Sequence, residues 1–322
     1  MNHIARVLAG LALMFCAANE LAAQAYPAKA VRIVVPFPAG GASDISARLI
    51  GQKASEAWGQ PVIVENRPGG NTVIGAEIVA RAAPDGYTLL WAIDSTLVMN
   101  QNLYDKLSYD PLKDFAPITR TIASRQIMVA NAASGIRSVK ELIQRARENP
   151  GKLNFGAGTL TNQLGGLLFN TLAGVNIVYV PYKGSQPTVQ GLLSGDVSFI
   201  IDGVTASLPH IKSGKFRVLA NMGLGPIAAL PGLPTLADEA GLPGFEVVIW
   251  QGMVAPASTP PDIVNRWHQE VVRVFALEDV RTKLTAIGQD LITCTPAEFS
   301  AFIRMESERW AKVIKQAGIR LE

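Results

Sequence analysis

The stretch "VVPFPAGGASDISARL", Val34 to Leu49, decides how this chain is read. An apolar, β-branched run enters Pro-Phe-Pro-Ala-Gly-Gly, and a helical pattern begins directly after it. A buried strand that turns on adjacent glycines into a helix is one unit of an open α/β sheet. Such a loop lets free backbone N–H groups and the positive end of a helix converge on something negative. Its candidate ligand residues are Phe37, Ala39, Gly40, Gly41 and Ser43. Asp44 would repel an anion if it faced the cleft, and is read as meeting the first turn of its own helix.

Outward from this unit the same rhythm continues. Val31 to Pro36, Val62 to Glu65 and Thr88 to Ala92 read as strands, with helices over Ser46 to Trp58 and Gly75 to Ala83. After Gln126 to Ala130 comes a helix from Val139 to Glu148, then strands at Leu153 to Phe155, Ile177 to Val180, Val197 to Ile201 and Arg217 to Ala220. A further strand at Val247 to Ala255 precedes a region, Pro261 to Ile319, that reads as helices. Ile263, Val264, Trp267, Val271, Val272 and Phe275 fall at helical spacing, as do Phe302, Met305, Trp310, Val313 and Ile314. The pattern predicts an open, mostly parallel sheet in two α/β lobes joined by two crossover segments, near Arg120 to Ala130 and Gly244 to Trp250. The expected lobes are residues 26–124 with 248–322, and residues 125–247. Ligands of open sheets bind beyond the carboxyl ends of the strands, so both sets of loops would line one cleft.

With 322 residues the chain suits about two domains at ~150 residues each. A hydrophobic fraction of 48% with 17% charged residues argues for ordinary globular cores. The net charge is only +3, and Lys and Arg are scattered, which gives no case for nucleic acid. Arg6 precedes an apolar run from Val7 to Ala18, and Ala23-Gln-Ala25 supplies a small-x-small pattern. That run is too short for a bilayer of ~30 Å at about 1.5 Å per residue. Residues 1–25 therefore read as a cleaved secretory signal, with a lipoprotein anchor at Cys16 disfavoured by Phe15. Cleavage before Tyr26 would leave Cys294 without a partner and the mature protein soluble, with no internal disulfide.

A second loop, "GAGTLTNQ" (156–163), also follows a strand and enters a helix at Leu164 to Leu172. It contributes Gly158, Thr159, Thr161, Asn162 and Gln163 as candidate ligand residues. Asp202, at a strand end, could accept a ligand hydroxyl or ammonium, orient a loop, or cap a helix. Ser95 and Thr96 at the end of the third strand add possible donors, and Tyr182 and Trp250 possible aromatic walls. Lys183 is a possible charge partner. No reacting constellation assembles. The glycine loops lack the G-x-x-x-x-G-K-[ST] and G-x-G-x-x-G spacings, no G-x-S-x-G elbow is present, and His210 and His268 stand far apart. No catalysis, metal or cofactor is expected.

"VPFPAGGASD" (35–44), "PVIVENRPGG" (61–70), "APDGYTLL" (83–90), "VPYKG" (180–184), "LPHIKSGK" (208–215), "LPTLADEAGLPGFE" (233–246) and "WQGMVAPASTPPDIV" (250–264) carry a family likeness over the whole mature chain. The sequence resembles the Bug family, periplasmic solute receptors of tripartite tricarboxylate transporters. The resemblance implies a two-lobed periplasmic binding protein of type II-like fold that holds a small carboxylate and presents it to membrane permease subunits. The ligand is expected to be a di- or tricarboxylate, an acidic amino acid or an aromatic acid such as terephthalate. It also implies that Phe37 to Asp44, Gly158 to Gln163 and Asp202 match the family's ligand positions. One departure is Gln163, where many relatives carry His. A monomer is expected. The runner-up readings are a carboxylate receptor for a membrane sensor kinase, or an enzyme on the same scaffold.

Overall fold

A computed structural model describes residues 26–317 and residue 320. The expected signal segment, with Cys16, lies outside the described residues. Three parallel strands open the chain: β1 (Val31–Val35) lies between β2 (Val62–Asn66) and β3 (Thr88–Ile93). Helices α1 (Ala42–Trp58) and α2 (Val73–Ala80) connect them. A single long strand follows, β4 (Phe115–Asn131). Beyond it come α3 (Val139–Glu148), β5 (Asn154–Ala157), α4 (Leu160–Ala173), β6 (Val178–Pro181), α5 (Ser185–Ser194) and β7 (Phe199–Gly203). Then come α6 (Val204–Lys212), β8 (Phe216–Asn221), α7 (Leu236–Ala240), β9 (Val248–Pro256), α8 (Pro261–Phe275), α9 (Glu278–Ala286), β10 (Gln289–Leu291) and α10 (Pro296–Ala317).

The strands run in the order β2-β1-β3-β9-β4-β7-β5-β6, with β8 and β10 also on β4. Strand β4 links the two halves of this sheet. From Phe115 to Arg125 it pairs antiparallel with β9, and from Gln126 onward with β7 and β8. The crossings are therefore one antiparallel ribbon, where the sequence suggested separate segments and a strand of only Gln126 to Ala130. Pro117 and the alternating Thr, Arg and Ser residues hide the strand's first half, which is held by pairing with β9 on one edge and β10 on the other. The sheet is mixed rather than mostly parallel, because every ladder of β4 and β9 is antiparallel. Strand β10 also interrupts the region read as wholly helical.

In the first half, Ile33, Leu89, Trp91 and Met253 from the sheet pack with Ile50 of α1 and Trp267 and Val271 of α8. Each fully buried side chain of this kind contributes roughly 1.5 to 3 kcal/mol. In the second half, Phe155, Phe169 and Phe199 cover one sheet face, and Ile127, Ile200 and Leu192 the other. A further cluster joins the halves: Leu160 and Leu164 of α4 pack with Val34, Leu90, Trp250, Phe299 and Trp310. The buried stripe of α10 is Phe299, Ile303, Trp310 and Ile314, at i, i+4, i+11 and i+15. Met305, expected in that stripe, falls off it and is exposed.

Candidate ligand-binding site

A cavity of about 180 Å³ lies where the two halves face each other. That is the scale of a cavity that holds a benzene-sized guest. Its floor is the crossing ribbon, Ser124 to Gln126 on β4 with Ile249 and Gln251 on β9. Strand alternation sends Ile249 and Gln251 to this side and Trp250 to the other, against Phe299 and Phe302. Gln251 is orientated by its neighbour. The Trp91 indole N–H, which can only donate, bonds its Oε1 at 2.6 Å, so the Nε2 donors are turned away from Trp91.

The first-half wall is the loop from Phe37 to Ser43. Gly40 takes φ +83°, a conformation that L side chains rarely adopt. Gly41 then heads α1 with extended φ and ψ and no side-chain cap. The opening amides of a 17-residue helix are thus left without a side-chain acceptor. Asp44 does not supply one. Its carboxylate turns back to accept from Gly40 N at 2.9 Å, Asn66 Nδ2 at 2.9 Å and Arg48 Nε at 3.0 Å. Burial alone would raise Asp44, but Arg48, the Gly40 amide and Asn66 together hold it below the usual carboxylate range. Its charge is thereby spent on shaping the loop.

The second-half wall differs from the loop read in the sequence. Gly156 and Ala157 belong to β5, and α4 begins at Leu160 with Thr159 as its own cap, accepting from Asn162 N at 3.3 Å. The helix starts four residues earlier than expected, which places Thr161, Asn162 and Gln163 in its first turn. Two other helices arrive uncapped: Gly184 heads α5 and Gly203 heads α6, both lining the cavity. Asp202 is their resident anion. It is 1% exposed, and its Oδ1 accepts from Ser185 Oγ at 2.6 Å while Oδ2 has no partner. Burial pushes its carboxyl up to about 6, against the opposing pull of Ser185 and the Gly203 amide.

Of the residues singled out in the sequence, Phe37, Ala39, Gly40, Gly41, Ser43, Thr159, Asn162 and Asp202 line this cavity. Asp44, Ser95, Thr96, Gly158, Thr161, Gln163 and Tyr182 do not. Ser95 and Thr96 lie beyond the end of β3 in a buried π-helical turn, where Thr96 Oγ1 bonds Thr72 Oγ1. Gly158 and Tyr182 support the wall from behind. A Cβ on Gly158 would stand 2.5 Å from the Gly184 carbonyl oxygen, and one on Gly156 would stand 2.9 Å from the Tyr182 ring. Thr161 bonds Asp94 of the first half at 3.0 Å to each carboxylate oxygen. Lys183, noted in the sequence, is on the cavity's exposed rim. Arg125, Gln126, Ser185, Thr205 and Gln251 line the cavity without having been anticipated; Arg125 is paired with Asp290 at 2.7 Å. The one sign of Gln251 was its place inside an apolar strand run.

Two α/β halves closing on one small, donor-lined cavity define a two-lobed solute receptor. Residues 46–319 match the family model described as "Tripartite tricarboxylate transporter family receptor", TctC, and the chain belongs to that family. It is 33% identical over 326 residues to protein BugT of Bordetella pertussis, covering 99% of this chain and 100% of that protein. Among solved structures it is similar to Rpa4515 of R. palustris, solved with adipate, at a TM-score of 0.86 and 35% identity over 92% of this chain and 99% of that one. It is also similar to MatC (Rpa3494) of Rhodopseudomonas palustris with bound malate, at a TM-score of 0.82 and 32% identity, covering 90% of this chain and 100% of that one. Among the described residues no helix is long and apolar enough to cross a membrane.

Proposed function

We propose that this chain is a periplasmic receptor that captures a small carboxylate in the cavity between its lobes and delivers it to the permease subunits of a tripartite tricarboxylate transporter, without transforming it. The observation that carries this reading is the uncapped N-terminus of α1, headed by Gly41 and opening into the cavity, with the first-turn Asp44 carboxylate turned back onto Gly40, Arg48 and Asn66. The carboxylate docks on the amides that open α1, with the Gln251 amide as a further donor from the floor. Hydrogen bonds to an ionised group contribute roughly 1.5 to 3 kcal/mol each. Three of them approach the roughly 8 kcal/mol of micromolar affinity before ordering costs, so no dedicated arginine is needed. Adipate and malate in two relatives support the ligand class.

The lobes in this reading are residues 26–124 with 248–322, and residues 125–247. The change of β4's partners from β9 to β7 at Arg125 and Gln126 supports that division. Closure flexes the β4–β9 ribbon, and the closed form is what the permease reads. Residues 1–25 direct export and are removed near Ala25. The receptor works as a monomer without a cofactor. A thermal-shift screen against a carboxylate panel tests the reading, because a ligand of the native state adds RT ln(1 + [L]/Kd) of stability. A shift with a sugar or a metal, and none with any acid, overturns the ligand class.

A further inference from the structure

The cavity's two walls differ in polarity. On the first-half side the available groups are donors. On the second-half side, where α5 and α6 also open with uncapped amides, two buried side-chain oxygens stand as acceptors without partners. The first is fixed by a chain of hydrogen bonds. Gln126 Nε2 donates to the Ser124 carbonyl at 2.8 Å, which forces Gln126 Oε1 toward Asn162. That oxygen accepts from Asn162 Nδ2 at 3.0 Å, so the atom of Asn162 left over is Oδ1, buried and without a partner. The second is Asp202 Oδ2, also buried and without a partner. Gln126, which holds Asn162, pairs across β4 and β7 with Gly203, the residue after Asp202. Of the other charged groups near the cavity, Asp44 is answered by Arg48 and Asn66 and Arg125 by Asp290, while Lys183 stands on the exposed rim.

We infer, building on the carboxylate reading above, that the ligand is a small acid whose other end carries an N–H or O–H donor, and that Asp202 and Asn162 select it over a plain dicarboxylate of the same length. A buried acceptor left unmade is costly, and a donor delivered on lobe closure removes that cost at both atoms. A second carboxylate against these two atoms would set acceptors against acceptors and negative charge against the Asp202 carboxylate. The ligand carboxylate lies instead at the start of α1, where the opening amides have no side-chain acceptor and the Asp44 carboxylate is already held by Gly40, Arg48 and Asn66.

Isothermal titration of the full mature chain with length-matched acids tests this. The series are succinate, 4-hydroxybutyrate and 4-aminobutyrate; adipate, 6-hydroxyhexanoate and 6-aminohexanoate; and the aromatic pair terephthalate and 4-(hydroxymethyl)benzoate. In the best-fitting series the hydroxy or amino acid is expected to bind at least tenfold more tightly than the dicarboxylate. If the hydroxy acid alone does so, the donor is neutral; if the amino acid does, it is cationic. A dicarboxylate that binds as well as its partners in every series overturns the inference and leaves the carboxylate reading standing, with water serving the two acceptors. Silence from all eight acids sinks both. Asp202→Asn is expected to remove most of the preference, chiefly by tightening the dicarboxylate once the facing charge is gone. An equal loss for every acid would mean that Asp202 is only structural. Should that variant fail to fold, the comparison of acids on the wild-type protein decides alone.

Discussion

Replacing Asp94 by Asn should make the protein more stable at neutral and alkaline pH. Asp94 has no exposed surface, accepts from Ser95 N at 2.7 Å, and meets Thr161 Oγ1 of α4 at 3.0 Å through both oxygens. Burial pushes its carboxyl from 3.8 up to about 8, with Glu306 adding to the rise while Ser95, Thr161 and Arg309 oppose it. A carboxyl whose folded pKa is raised stabilises the fold most at low pH, and that contribution is lost as pH climbs from the unfolded value through the folded one. At about 1.36 kcal/mol per pH unit, the loss between pH 5 and pH 8 comes to roughly 4 kcal/mol. Asn keeps the oxygen that accepts from Ser95 and Thr161 and has no proton to lose. Urea denaturation from pH 5 to pH 8 should therefore show a falling stability for the wild type and a much flatter profile for Asp94→Asn. Parallel profiles for the two proteins would refute the argument, because they would mean that Asp94 does not titrate in this window.

Gly41→Val places a branched side chain over the start of α1 at a backbone conformation any residue adopts, so melting should stay within about 1 kcal/mol of wild type while binding is lost; unchanged affinity would remove that terminus from the site. Asp44→Ala frees Gly40, Arg48 and Asn66 together and should cost about 2 to 4 kcal/mol, measured by urea denaturation at pH 7. Because the Asp44 pKa is lowered, its share of stability is held above pH 4 or so and lost as pH falls through the folded value, so the variant and wild type should converge in acid. Gly158→Ala drives a methyl into the Gly184 backbone and should destabilise by about 1 to 3 kcal/mol and weaken binding; a wild-type melting curve would show that the two loops part easily.

The α/β rhythm and the first loop were legible because strand, glycine pair and helix are consecutive, so local sequence carries the whole signal. What lay hidden was set by distant partners. Strand β4 is polar and contains Pro117 over the half that β9 and β10 complete, so its period-2 pattern is too weak to read alone. Gly156-Ala-Gly looked like a loop, yet Gly156 is glycine because the Tyr182 ring occupies the space beside it in β5. Thr161 looked like a ligand donor because nothing local reveals Asp94 opposite it. The polar floor residues Ser124, Gln126 and Gln251 come from strands far apart in sequence, and only their interruption of apolar runs marked them.

The position of β9 between β3 and β4 has a consequence for how the protein is made. On a growing chain, β1 to β3 emerge first, but their inner edge stays bare until residues 125–247 have been synthesised. The middle segment can assemble its strands on the far end of β4 before the earliest strands find their last neighbour. Ile249 and Gln251 arrive on that neighbour, so a nascent product cut short before them lacks part of the cavity floor, whatever else of it has already formed.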